Sequence, residues 1–273
     1  MKLKYLAASV LATTLASTAA FAATPSAKFA ATYTDTPALA SIAVITDATA
    51  DQVVTDSKTG YTLATIKVPE QKELLVGVSA EIGLVTETSV KGKNGGTATA
   101  TAGAEAYVTV FAVPKSGGPS AEAAPGKIIL SKRIQALTAT LGGVIQSCTD
   151  SVTVDTDGDG EPDATDGTID VATECVVTDE QIGLLQDTTA AHHFNFVLPD
   201  LPQGVYDIKA VFTTGGHAEV DICDSAADCA LYDPDGTVSA SSTAKAIINK
   251  TMVTVQQVRA AKGGVIDAEI IEQ

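Results

Sequence analysis

Residues 97–113 read TATATAGAEAYVTVFAV. The run alternates with a period of two and is rich in β-branched residues, the pattern of a strand. Related signals recur at 61–68, 73–90, 127–141, 193–198, 205–213 and 244–259. The breaks between them carry turn residues: Asn94-Gly95-Gly96, Gly117-Gly118-Pro119, Gly142-Gly143 and Pro202-Gln203-Gly204. Strands do not alternate with helices, which argues against a doubly wound sheet. The chain is expected to be an all-β protein, an immunoglobulin-like or jelly-roll β-sandwich. Within 73–90, Gly77 and Gly83 suggest bulges where a strand bends from one sheet to the other. One short helix is expected: Thr178-Asp179-Glu180-Gln181 reads as an N-cap with an acidic first turn, and Ile182, Leu184 and Leu185 as its apolar face.

Further along, residues 193–208 read HFNFVLPDLPQGVYDI. A strand runs through a Pro/Gly corner into a second strand bearing Tyr206. The segment resembles the corner of immunoglobulin-like and fibronectin-like sandwiches. That resemblance implies that the Tyr206 hydroxyl ties the corner to the backbone. It bears on fold, not on function.

The front of the chain reads MKLKYLAASVLATTLASTAAFA. Lys2 and Lys4 precede an apolar stretch from Leu6 to Leu15, and Ala20-Phe21-Ala22 forms a small-x-small cleavage site. This is the three-part pattern of a secretory signal peptide over residues 1–22, with a mature start at Ala23. The apolar run is too short to span a membrane, which takes about 20 residues. No later segment has an unbroken run of that length, so no membrane span is expected. Residues 23–40, rich in Ala, Thr, Ser and Pro, read as a linker, and 41–273 as one β-sandwich domain. The mature protein is expected to be periplasmic, at the cell surface or extracellular.

The chain has 17 basic and 33 acidic residues, a net charge of −16. Such a surface repels nucleic acid and attracts divalent cations. Its 45% hydrophobic content argues for a packed fold rather than an acidic disordered one. Four cysteines, Cys148, Cys175, Cys223 and Cys229, lie in the exported part, where disulfides persist. Three pairings are possible, and proximity favours 148–175 with 223–229. No CxxC or HxxxH spacing supports zinc.

The stretch Asp155-Thr156-Asp157-Gly158-Asp159-Gly160-Glu161-Pro162-Asp163-Ala164-Thr165-Asp166 has the spacing of a calcium loop. Counting from Asp155, carboxylates fall at positions one, three, five, nine and twelve, and glycine at the sharp turn at six. Calcium takes six to eight oxygens from a curled chain. Asp155, Asp157, Asp159, Asp163 and Asp166 supply side chains, and Glu161 its carbonyl. The loop resembles the calcium repeats of thrombospondin type 3 modules and, more loosely, an EF-hand loop. It departs from the EF-hand at Asp166 in place of Glu, at Pro162, and in lacking flanking amphipathic helices. A static structural site within a disulfide-closed insertion, 148–175, follows, rather than a helix-opening switch. Asp170 and Glu174, just beyond, read as surface charge.

Catalytic motifs fail. Adjacent His192 and His193 on a strand point to opposite faces. Ser242-Thr243-Ala244-Lys245 and Lys58-Thr59-Gly60 spell SxxK and KTG, but in the reverse of the order that penicillin-recognising enzymes use, and without SDN. The sequence therefore favours a non-catalytic, calcium-stabilised structural and interaction module with a protein or glycan partner. A calcium-dependent glycan-binding module and a hydrolase with an unrecognised site are the alternatives. With no Trp and few tyrosines, an aromatic platform for sugars is poorly supplied.

Overall fold

The computed structural model describes residues 28–34, 39–69, 72–93, 95–154, 164–165, 167–222 and 238–258. The strands are β1 (Phe29–Thr34), β2 (Leu39–Ala48), β3 (Gln52–Val68), β4 (Lys72–Gly92), β5 (Gly96–Pro114), β6 (Ala121–Glu122) and β7 (Ile128–Leu141). They continue with β8 (Val144–Cys148), β9 (Thr153–Val154), β10 (Ala164–Thr165), β11 (Cys175–Thr178), β12 (Glu180–Leu201), β13 (Gly204–Asp221) and β14 (Ser239–Val258). A single helical turn, α1 (Val171–Glu174), precedes β11.

Two antiparallel sheets pack face to face as an all-β sandwich. In the first, β4 lies between β12 and β14, and β14 also pairs with β1 and β2. In the second, β13 lies between β3 and β5, and β5 also pairs with β6 and β7. The alternation seen in 97–113 has a direct physical reading. Ala98 to Ala112 on β5 turn their even-numbered side chains inward and are buried, while the odd-numbered ones face outward.

The interior holds two apolar clusters. The larger contains Phe196, Phe212, Leu74, Ile66 and Tyr206. The smaller is rich in alanine, with Ala43, Ala98, Ala100, Ala218 and Ala240 around Leu141 and Val90. Between them the inward positions are small or polar: Thr86 and Thr88 on β4, Thr214 and Gly216 on β13, Ser242 on β14, Ser41 on β2 and Gln135 on β7. Gln135 joins the two sheets across this waist. Its Nε2 donates to Thr88 Oγ1 at 2.8 Å and to the Leu184 carbonyl at 2.7 Å, and its Oε1 accepts from Thr86 Oγ1 at 3.0 Å.

Several expectations change. Residues 178–185 form no helix, because β12 pairs with β4 residue by residue from Glu180↔Gly92 to Leu198↔Leu74. A continuous ladder of backbone bonds outweighs a local cap signal. Ile182 and Leu184 share one face of that strand, and Leu185 faces the other way. Within 23–40, residues 29–34 are β1 and Leu39 begins β2, so the linker reading does not hold for the part described. Gly77 and Gly83 are not bulges, since β4 keeps its register through both. A Cβ on Gly77 would stand 2.6 Å from Thr254 Oγ1, so glycine makes room for a neighbouring side chain. The register shift lies in β14, where pairing jumps from Ile248↔Ile82 to Thr251↔Ala80. The extra residue switches the buried set from even positions through Ile248 to Thr251, Val253 and Val255. Asn249 Nδ2 secures it by donating to Glu81 Oε1 at 2.9 Å.

The corner matches its expectation. The Tyr206 hydroxyl donates to the Pro202 carbonyl at 3.0 Å. Its ring lies against Gly204, where a Cβ would meet Tyr206 Cε2 at 3.1 Å.

Candidate functional site

The insertion between β7 and β12 is the best-built candidate. β8 pairs with β11 from Cys148↔Cys175 to Val144↔Thr178, and the disulfide Cys148–Cys175 closes it. Inside that hairpin, β9 pairs with β10 through Thr153↔Thr165 and Val154↔Ala164. In sequence this small pair encloses residues 155–163 of the acidic stretch, and Asp166 follows it. Asp155, Asp157, Asp159, Glu161, Asp163 and Asp166 themselves lie outside the described residues, as do Cys223, Cys229 and residues 1–22, on which the signal-peptide expectation falls. Among the described residues, no group of three or more His, Cys, Asp or Glu could hold a metal ion.

The base of the insertion is held by two carboxylates: Asp150, which the sequence reading passed over, and Glu174, which it took for surface charge. Glu174 is buried, not surface charge. Its Oε1 accepts from the Ser151 N–H at 2.5 Å, the Ser151 hydroxyl at 2.9 Å and the Val152 N–H at 2.9 Å. Its Oε2 accepts from the Asp170 N–H at 2.9 Å, at the head of α1. The Ser151 and Asp170 N–H groups are the main causes that hold its carboxyl at about 2, well below the usual 4.5. With both oxygens committed to these donors, Glu174 is an anchor for the loop's base and not a metal ligand. Asp150 Oδ2 accepts from the Gly167 N–H at 2.9 Å, tying the two sides of the loop together. Asp150 Oδ1 is buried and has no hydrogen-bond partner among the described residues. The only sequence signal for Glu174 was its spacing of four from Asp170 at the start of a short turn.

The other candidates come out differently. His192 and His193 lie on edge strand β12 on opposite faces, as expected. His193 Nδ1 lies 2.9 Å from Ser79 Oγ, and its Nε2 lies 3.2 Å from Asn195 Oδ1. This hydroxyl–imidazole–amide row is solvent-exposed, so water competes for each bond. His217 Nε2 faces Glu219 Oε2 at 3.2 Å. Ser242 and Lys245 point to opposite faces of β14, and the Ser242 hydroxyl is spent on the Thr101 carbonyl at 2.5 Å.

An open trough of about 480 Å3 crosses the outer face of the second sheet, with Gly103 and Gly215 in its floor and Tyr107, Ile134 and His217 among its walls. A sugar platform needs a bare ring face. Lys127 Nζ stands 3.5 Å from the centre of the Tyr107 ring, and Lys209 Nζ stands 4.1 Å from that of Tyr61.

No protein-family model matches the chain, and no curated protein matches it either. A solved structure, that of the infectious bursal disease virus Gx strain, aligns with 84% of this chain at 13% identity and a TM-score of 0.19. The aligned part is 38% of the viral chain, so this protein spans well under half of that one's length. A likeness that slight carries no argument about fold or activity. Among the described residues, no helix is long and apolar enough to cross a membrane.

Proposed function

We propose that this protein is an exported, non-catalytic structural and interaction module whose loop 155–166 holds one calcium ion. The observation that carries the reading is the base of the insertion. A disulfide, a two-strand pair and the Glu174 anchor hold the chain on either side of residues 155–163, within an acidic stretch that has the one-three-five-nine-twelve spacing. A loop fixed at both ends loses less chain entropy when it closes on a cation. Asp155, Asp157, Asp159, Asp163 and Asp166 supply side-chain oxygens and Glu161 its carbonyl, the hard-oxygen set calcium prefers. The disulfide and the three-part leader support export.

Calorimetry and melting curves with calcium and with chelator test the metal. The short Asp166 and stiff Pro162 place the affinity in the weak extracellular range, a Kd of about 0.1–1 mM. At about 1 mM calcium and the tighter end of that range, the gain is roughly 1.4 kcal/mol, a melting shift of about 3–6 °C. Asp159→Ala removes the shift, and Asp235→Ala leaves it. Equal melting in both media with no binding heat overturns the calcium reading. Cell fractionation with N-terminal sequencing tests export: a mature start at Ala23 supports it, and an uncleaved cytoplasmic chain overturns it.

A further inference from the structure

The outer edge of β12 is unlike the other sheet edges. Val197 exchanges both backbone bonds with Ala124, at 2.9 and 3.0 Å, on the side away from β4. Backbone groups alternate sides along a strand. The N–H and C=O groups of the odd-numbered residues from Gln181 to Asn195 therefore point to that same open side. None of them has a backbone partner there among the described residues. The stretch 181–195 contains no Lys, Arg or Pro, and its register does not shift before Leu198.

Exposed edges are normally blunted by such devices, and the other edges have them. β3 carries Lys58 and Lys67, and β7 carries Lys132, Arg133 and a register shift opposite Tyr107. β2 has a register shift, and its Ile42 N–H donates to Asp56 Oδ2 at 3.0 Å. β1 is six residues long.

We propose that β12 pairs with β12 of a second copy, antiparallel about a twofold axis at Ala190, joining two sheets into one. The charges choose the register. Asp187 is the sole acidic or basic side chain, His apart, between 181 and 195. An axis at Asp187 would set two carboxylates face to face, which is destabilising. An axis at Ala190 sets Asp187 opposite His193 of the second copy on both sides of the axis, on the outer face. It sets Thr189 opposite Ala191 and leaves only small residues at the centre. The ladder ends where Ala124 already occupies Val197. This identifies a partner for the interaction module proposed above and rests on that reading, but not on its calcium.

Sedimentation velocity of the purified protein at micromolar concentration, with calcium and with chelator, tests it together with three variants. The expected species has about twice the monomer mass in both media. Ala191→Pro should be monomeric with unchanged melting, because the Ala191 N–H faces the open edge and its loss costs the monomer no ladder bond. Ala190→Cys should give a reducible covalent dimer, because a non-hydrogen-bonded pair at the axis brings the two Cα atoms to about 4.5 Å. His193→Asp should weaken dimerisation at least tenfold, and Asp187→His combined with it should restore it. A monomer at every concentration overturns the proposal. So does a dimer that survives Ala191→Pro and yields no cross-link from Ala190→Cys. A monomer found in an exported fraction overturns the pairing alone, whereas a dimer retained in the cytoplasm overturns the module reading alone.

Discussion

The Tyr206 hydroxyl donates to the Pro202 carbonyl at 3.0 Å, across the corner where the chain leaves β12 in one sheet and enters β13 in the other. The ring is buried within the larger core while the hydroxyl fixes the turn, so one side chain couples sheet packing to chain direction. Tyr206→Phe keeps the ring and removes the bond. It should lower stability by about 1–2 kcal/mol. Urea unfolding should show a lower midpoint with an unchanged slope, since the surface exposed on unfolding is the same.

Gln135 is the polar tie between the sheets on the β12 side. It is 6% exposed, and Thr86 and Thr88 beside it are fully buried. Gln135→Leu fits the volume but strands both threonine hydroxyls without partners. Each buried group left unpaired costs about 1–3 kcal/mol. The variant should lose roughly 2–3 kcal/mol on that basis, read by chemical denaturation. Gln135→Glu leaves an oxygen to accept from each threonine hydroxyl, but it loses the donor to the Leu184 carbonyl and sets a buried carboxylate against it, so it should also be destabilised.

The glutamate at the base of the insertion makes stability depend on pH in a definite direction. Glu174 titrates near 2 in the folded protein against a usual 4.5. A carboxyl whose folded value is depressed contributes stability that is complete above the unfolded value and is lost as pH falls toward the folded one. The insertion should therefore weaken between about pH 5 and pH 2. Amide exchange at Ser151, Val152 and Asp170 reads this locally, because their N–H groups bond the carboxylate. Glu174→Gln should flatten the pH dependence in that window and raise exchange at neutral pH.

How much of this was legible in the sequence depended on whether the deciding force was local. The alternation of 97–113 and the Tyr206 corner are short-range patterns, and proximity favoured Cys148–Cys175 among three possible pairings; all three stand in the structure. The first half of β12 was misread because Thr178-Asp179-Glu180-Gln181 does satisfy a helix start locally. Only the distant partner β4 makes it a strand. The first half of β3 and all of β1 were missed because their residues are largely solvent-exposed, leaving no apolar alternation to read. Glu174 was invisible as an anchor because a lone acid in an acidic stretch carries no mark of burial. The acidic spacing of 155–166 is a reading of the sequence alone, and of the frame beside it only the cysteines were legible.

A close approach of the two sheets at Gly216 sets the last prediction. At Gly216 on β13, a Cβ would stand 3.1 Å from the Ala244 carbonyl oxygen and 3.2 Å from the Ala43 nitrogen. Both are backbone atoms of the opposite sheet, on β14 and β2, so no flexible side chain can move aside. Packed sheets ordinarily lie about 10 Å apart, with side chains filling the gap; here glycine and alanine let the backbones come closer. Gly216→Val must push the sheets apart at the waist or distort β13. Overpacking of this kind should cost about 1–3 kcal/mol. Gly183 on β12 is the control, because a Cβ there meets nothing nearer than Ser89 Cβ at 3.5 Å. Gly183→Ala should instead be neutral or gain about 0.4–1 kcal/mol by restricting the unfolded chain. Thermal and urea unfolding of the two variants should move in opposite directions or leave Gly183→Ala unchanged. Equal tolerance of both would mean that the sheets can separate at the waist without loss.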